Sequence, residues 1–287
     1  MTSLRAMIGG SEAVLAPLVL NPLMAKLAER AGFQALYLGG GSTGYAKVVL
    51  EANLNLSEMC QAGLDIKAVS ALPLILDGAC GFGDPMHQHR TIGMAEAAGF
   101  AAIEIEDQIL PKRAHHHVGI EHMVPAELMA AKVREAVAAR RGPDFLIIAR
   151  TNAVRQTGMD DALRRLEAYR RAGADVLLAI ARTPEEARHL GERLGPPLMH
   201  LCGAGGMSSF GIGPAEMAGF GYRILADAST PFLAAYEGMA RCYAALAKAG
   251  FADRDRDAAT LKALDEDMKA AIGLEAVLRI EKATVER

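Results

Sequence analysis

Residues 98–113 read AGFAAIEIEDQILPKR. The opening Ala98-Gly99 ends an amphipathic segment, MAEAAGF, and glycine suits a helix C-terminus because it enters the left-handed region without steric cost. Residues 101–106, AAIEIE, then form a short apolar run of strand length. Beyond it the chain becomes densely ionisable: residues 106–117, EDQILPKRAHHH, hold a carboxylate pair, a lysine, an arginine and three histidines. Such groups are costly to fold around unless they are solvated, paired or bound to a ligand.

The same theme runs through the chain. Apolar runs occur at 16–20, 34–38, 72–77, 101–106, 145–150, 175–180, 196–201 and 222–227, several of them preceded by a helical segment ending in alanine and glycine. Strands this apolar, alternating with helices, imply a parallel sheet covered by helices. Eight such units predict an α/β fold of the (β/α)8 TIM-barrel class over residues 1–251. An open doubly wound sheet ranks second, because no GxGxxG follows the first strand. Residues 252–287 place apolar residues three and four apart and predict a C-terminal helical extension that packs on its own barrel or on a neighbour's.

A chain of 287 residues, 51% hydrophobic and 23% charged, can bury a large core. Its formal net charge of −3 lacks the footprint of a nucleic-acid binder, so small molecules and copies of itself are the expected partners. No run approaches the roughly 20 apolar residues of a membrane span, and no export signal is visible. Four cysteines without a paired framework suit a reducing compartment, and a cytoplasmic protein is expected.

In a barrel of this kind the reacting groups sit where strands end and loops begin. The shortlist is Gly39 to Ser42 after the second strand, Asp77 and Cys80 after the third, Glu106 and the KRAHHH loop after the fourth, Arg150 closing the fifth and Cys202 after the seventh. Asp77 and Glu106 end adjacent strands and can share a hard cation such as Mg²⁺, or serve as rim carboxylates paired with a lysine or arginine. Arg150 offers a planar fork for a carboxylate, or a salt bridge to Glu106 or Asp77. The glycine run either admits an anion to its backbone N–H groups or is an ordinary flexible turn. Six of the eight histidines fall within 36 residues, but adjacent imidazoles do not readily converge on one metal. One facing substrate, with the others facing solvent or a subunit neighbour, is the favoured arrangement. Cys80 and Cys202 are each read first as small buried residues at a strand end.

At these residues the chain resembles the isocitrate lyase and phosphoenolpyruvate mutase superfamily, particularly its short methylisocitrate-lyase-like members. The resemblance spans nearly the whole chain: NPLMAKLAERAGFQALYLGGG, LDGACGFGD, AGFAAIEIEDQILPKR, FLIIARTNA and AAIGLEAVLRIE carry it, the EDQxxPKR segment most specifically. It implies an Mg²⁺-dependent (or Mn²⁺-dependent) barrel enzyme, assembled as a homotetramer with a C-terminal helix swapped between subunits. It makes Asp77 and Glu106 metal-site carboxylates, and Gly40, Gly41 and Arg150 ligands of a small carboxylate substrate, with Tyr37 and Ser42 completing the substrate-binding set. Lys112 matches the lysine that opens a mobile gating loop, and His116 the loop histidine of the lyases. Lys112, His116 and Arg150 are the expected catalytic residues.

Departures from the family pattern are specific. Where its lyases read K(K/R)CGH, this chain has Lys112-Arg113-Ala114-His115-His116, so the cysteine that protonates the departing carbanion is absent. The metal loop DxDxGxG has Ala79 at its second aspartate, the aspartate after strand two has Glu51 as its nearest match, and a glutamate near Ile180 is lost. Cleaving a 2-hydroxy di- or tricarboxylate of the methylisocitrate or dimethylmalate type needs a base for the hydroxyl and an acid for the carbanion. A loop histidine offers such an acid near neutral pH. That puts a C–C lyase acting through an enolate first. An oxaloacetate-type decarboxylase, which needs the enolate sink but not the same acid, comes second, and a phosphonomutase-like or non-catalytic binding barrel third.

Overall fold

The computed structural model describes residues 2–253 and 255–286. Its strands are β1 (Val14–Ala16), β2 (Leu36–Leu38), β3 (Leu74–Asp77), β4 (Ala102–Glu106), β5 (Leu146–Thr151), β6 (Val176–Ala179), β7 (Leu198–Cys202) and β8 (Tyr222–Asp227). All pair in parallel, in the order β1-β8-β7-β6-β5-β4-β3-β2. The ring closes between β2 and the segment after β1, where Leu18 bridges Tyr37 and Val19 N donates to Tyr37 O at 2.8 Å. This is the (β/α)8 barrel that the repeated strand and helix units predict.

The first strand departs from the expected run at 16–20: β1 stops at Ala16 and the chain pairs again only at Leu18. Pro17 lies between them and has no N–H to give a ladder. Elsewhere the strands fall within two residues of the apolar runs. Apart from β4, whose Glu104 and Glu106 alternate with Ile103 and Ile105, they carry no regular polar–apolar alternation, because both of their faces are covered.

Period two along each strand sorts the side chains into two apolar layers. Val14, Ala16, Ala35, Ile75, Ala102, Leu146, Ile148 and Met199 pack inside the barrel. Leu36, Leu74, Ile103, Ile105 and Ile147 pack outward against the helices. On β4 this parity puts Glu104 and Glu106 on the inner face with Ala102, and on β5 it puts Arg150 there with Ile148. A charged layer therefore sits on the apolar plug at the C-terminal ends of β3, β4 and β5.

After β8 come three helices, Thr230–Lys248, Ala258–Ala271 and Leu274–Thr284, none with a buried residue. Tyr236, Tyr243, Met268 and Ile280 are among their exposed apolar side chains. An ion pair from Arg30 to Asp267, at 2.6 Å, ties the second of these helices to the barrel. Among the described residues no helix is long and apolar enough to cross a membrane.

Candidate active site

Four carboxylates and two cations meet at the barrel mouth. Lys112 Nζ lies 2.8 Å from Glu51 Oε1 and is also ion-paired with Glu106 Oε1. Arg150 Nη1 donates to Glu104 Oε1 at 2.7 Å, and its Nε stands 3.4 Å from Glu106 Oε2. Asn152 joins both sides, donating from Nδ2 to Glu106 Oε2 at 2.8 Å and accepting from Arg150 Nε and Nη2 at 3.2 Å. Asp77 accepts from two backbone groups, Gly40 N at 2.9 Å and Ala79 N at 3.1 Å. Asp77, Glu106, Lys112 and Arg150 are all buried, so the mouth is covered.

Local sequence explains this convergence. The glycine run is the helix Gly40–Ala46, not a flexible turn, and its glycines make room for the chain that returns at Glu51. A Cβ on Gly40 would stand 2.8 Å from Glu51 Cγ, and one on Gly44 2.8 Å from Glu51 N. After β3 the backbone turns sharply through Ala79 (φ 46°), whose carbonyl accepts from Glu106 N at 2.8 Å. A non-glycine residue in the left-handed region is strained, and such positions collect at functional sites.

The segment after β4 covers the mouth. Its two arms are tied by an antiparallel bridge between Gln108 and Met123, with Ile109 N donating to His122 O at 2.8 Å. Inside it, Glu121 is a hub: His116 Nδ1 lies 2.7 Å from Glu121 Oε2, and Gln108 Nε2 and Arg155 Nη2 also bond to this carboxylate. Gln108 Nε2 further donates to Glu106 Oε2 at 3.2 Å, which links the loop to the charged layer. The neighbouring histidines point elsewhere, His115 to His122 at 3.0 Å and His117 to the Tyr45 hydroxyl at 3.0 Å.

The electrostatics are those of a site with surplus negative charge. Burial, with Asp77 close by, pushes Glu51 up to about 7 despite Lys112. Burial pushes Glu104 up to about 7 as well, against the pull of Arg150. Burial works the same way on Glu106, but Lys112 and Arg150 outweigh it and hold that carboxyl well below the usual range. His116 moves down, first through burial and then through Lys112. Both causes work against the charged form of this imidazole. Burial raises the Cys80 thiol far above its ordinary value, in keeping with a small residue buried under the mouth.

Among the described residues no three His, Cys, Asp or Glu side chains stand ready around one metal position. The donor set still suits a hard cation. It is all carboxylate oxygen, it exceeds its two protein cations in number, and Glu51 Oε1 is buried without an aligned hydrogen bond. Lys112 holds the place between Glu51 and Glu106 that such a cation would contest.

Several expected substrate ligands are otherwise engaged. The Tyr37 hydroxyl, fully buried, donates to Glu104 Oε2 at 3.0 Å, and the Ser42 hydroxyl donates to Ala228 O at 2.7 Å. The Gly40 N–H serves Asp77, whereas a Cβ on Gly41 would meet nothing within 4 Å, so Gly41 faces open space. Sequence reading missed Glu104, Gln108, Glu121, Asn152 and Arg155. Period two from Glu106 points to Glu104, and from Arg150 to Asn152; Glu121 and Arg155 carry no local signal. A cavity of about 820 Å³ is lined by Leu54, Phe82, His87, Arg90 and Leu110. It opens beside the charged layer rather than over it.

The family model for phosphoenolpyruvate phosphomutase matches residues 4–247. The chain belongs to that family. It is thus a member of the isocitrate lyase and phosphoenolpyruvate mutase superfamily of carbon–carbon lyases and mutases, as the EDQxxPKR segment suggested. Family relatives include 2-methylisocitrate lyase of Aeropyrum pernix, 38% identical over 80% of this chain and 74% of that protein. The 2,3-dimethylmalate lyase of Eubacterium barkeri is 32% identical over 85% of this chain and 84% of that one. Among solved family structures, a phosphonopyruvate hydrolase in complex with oxalate and Mg²⁺ superposes with a TM-score of 0.84, at 30% identity, over 99% of this chain and 98% of the other.

Proposed function

We propose that this enzyme cleaves a carbon–carbon bond in a small 2-hydroxy di- or tricarboxylate of the methylisocitrate or dimethylmalate type. The observation that carries the reading is the pairing of Arg150 and Lys112 with buried carboxylates at the barrel mouth, under a loop that brings one histidine into the same network. The named activities of the Aeropyrum and Eubacterium relatives support the substrate class. Arg150 would trade a protein carboxylate for a substrate carboxylate, and the open space at Gly41 would admit a second. Asp77 and Glu106, with Glu51 in support, would hold Mg²⁺ or Mn²⁺, which when bound supplies positive charge to the enolate that develops as the bond breaks. Lys112 links the loop to these carboxylates, and His116 handles the proton in place of the family's cysteine, whose position is Ala114.

The exposed apolar faces of the last three helices support a homotetramer with its C-terminal helices exchanged between subunits, residues 252–287 forming the extension to a barrel domain of residues 1–251. Four unpaired cysteines suit a cytoplasmic location. Ala114 also favours a second reading, decarboxylation of an oxaloacetate-type acid, which needs the same enolate stabilisation without that acid.

A panel of 2-hydroxy di- and tricarboxylates and oxaloacetate, assayed with Mg²⁺ for 2-oxo acid and for CO₂, tests both. The lyase reading expects 2-oxo acid from at least one hydroxy acid, with His116→Ala costing ~100-fold in kcat and His117→Ala little. CO₂ from oxaloacetate alone would select the decarboxylase, and no turnover of any member would refute both.

A further inference from the structure

Glu121 has no part in the chemistry so far, yet its side chain is fully buried and carries three partners. Such burial of a carboxylate needs a return, and Arg155 on Oε1 supplies only its charge balance. The Oε2 side is different, because there the partner is His116. Gln108 Nε2 has two hydrogens, and two carboxylates lie in reach of it, Glu106 Oε2 at 3.2 Å and Glu121 Oε2. Reversing that amide would aim its oxygen at both carboxylates, so the orientation is forced by its surroundings. With both hydrogens of Gln108 spent, its 2.9 Å approach to His116 Nδ1 is not a donation to that nitrogen. The 2.7 Å contact between His116 Nδ1 and Glu121 Oε2 then requires the proton on Nδ1, since an ionised carboxylate only accepts. Nε2 is left as the lone-pair nitrogen, without a hydrogen-bond partner among the described residues.

We propose that Glu121 is a positioning residue that locks His116 in its Nδ1–H tautomer, so that Nε2 enters the reaction as a proton acceptor. This rests on the reading of His116 as the proton-handling group and changes its order of events. Nε2 takes the proton of the substrate hydroxyl, and the oxygen electrons form the C=O bond of the 2-oxo acid product. The electron pair of the broken C–C bond passes onto the departing carbon and its carboxylate as an enolate. The proton on Nε2 then goes to that carbon, and the imidazole returns to its starting form. One histidine serves first as base and then as acid, and no separate acid is needed at Ala114.

The test is long-range ¹H–¹⁵N NMR of histidine-labelled full-length protein, with the His116 signals assigned by their loss in His116→Ala. Wild type should show a pyrrole-type Nδ1 and a pyridine-type Nε2 at neutral pH, and Glu121→Gln should mix the two tautomers. In steady state, Glu121→Gln should lower kcat ten- to a hundredfold with KM within about twofold, and Glu121→Asp should recover part of the loss. A wild-type His116 protonated on Nε2 would overturn the proposal without any variant having to fold, as would a Glu121→Gln spectrum identical to wild type. The tautomer is read without substrate, so a failed activity panel would leave this result standing on its own.

Discussion

Replacing Glu104 by glutamine should make the protein more stable, and increasingly so as pH rises. Glu104 is buried inside the barrel and titrates near 7, against an ordinary glutamate value of 4.5. Its folded pKa lies above the unfolded one, so its contribution is fully present below the unfolded value and is lost as pH climbs through 7. For a shift of that size the loss between pH 4.5 and pH 8 is about 3 kcal/mol. Glutamine has nearly the same shape, can accept from Arg150 through its oxygen and donate to the Tyr37 hydroxyl oxygen through its amide nitrogen, and carries no charge to desolvate. Glu51 titrates near 7 as well but is present in both proteins, so the comparison isolates Glu104. Thermal unfolding at matched concentration should give nearly equal midpoints at pH 4.5, and a variant midpoint higher by about 6 °C at pH 8, taking ~2 °C per kcal/mol for a chain of this size. Parallel pH profiles for the two proteins would refute the assignment of Glu104 as the poorly compensated charge.

Calorimetric titration with Mg²⁺ or Mn²⁺ should show binding that Glu106→Gln weakens at least tenfold; equal heats from the two proteins would rule out Glu106 as a metal carboxylate. Truncation after Ala252 should break the assembly, as seen by light scattering, and either a wild-type monomer or an intact truncated tetramer would contradict the swapped extension. Arg165→Met should cost about 3 kcal/mol in urea unfolding, because it leaves Asp107, buried and bonded also to Thr151 and Tyr169 at 2.7 Å, without its cation. An unchanged midpoint would mean that the two hydroxyls alone satisfy that carboxylate.

The barrel was legible because a strand covered on both faces must be apolar throughout, and eight such runs stand out from the helices between them. Where the rule was broken by a backbone property, as at Pro17, the strand end was missed. Asp77, Glu106 and Arg150 were legible from position alone, being the polar residues that close apolar strands. Glu104 was hidden because it lies inside its run and looks like part of the strand, although its parity with Glu106 puts it on the same inner face. Glu121 and Arg155 could not be found from spacing, since a hairpin-like loop and a short helix from a later unit bring them together. Neither reading of the GGGSTG run, anion cradle or flexible turn, recorded that Gly40 and Gly44 make room for Glu51, a contact no local pattern shows.

The bridge between Gln108 and Met123 makes the segment between them a cassette. Its ends are fastened to each other, so its interior can change in length or content without shifting β4 or the helix Ala126–Ala139 that follows. On the proposed function, carboxylate recognition stays with the barrel, while the proton-handling group travels with the cassette. A new reaction on this scaffold can thus arise by grafting one insert, and directed evolution of the enzyme is best confined to residues 109–122.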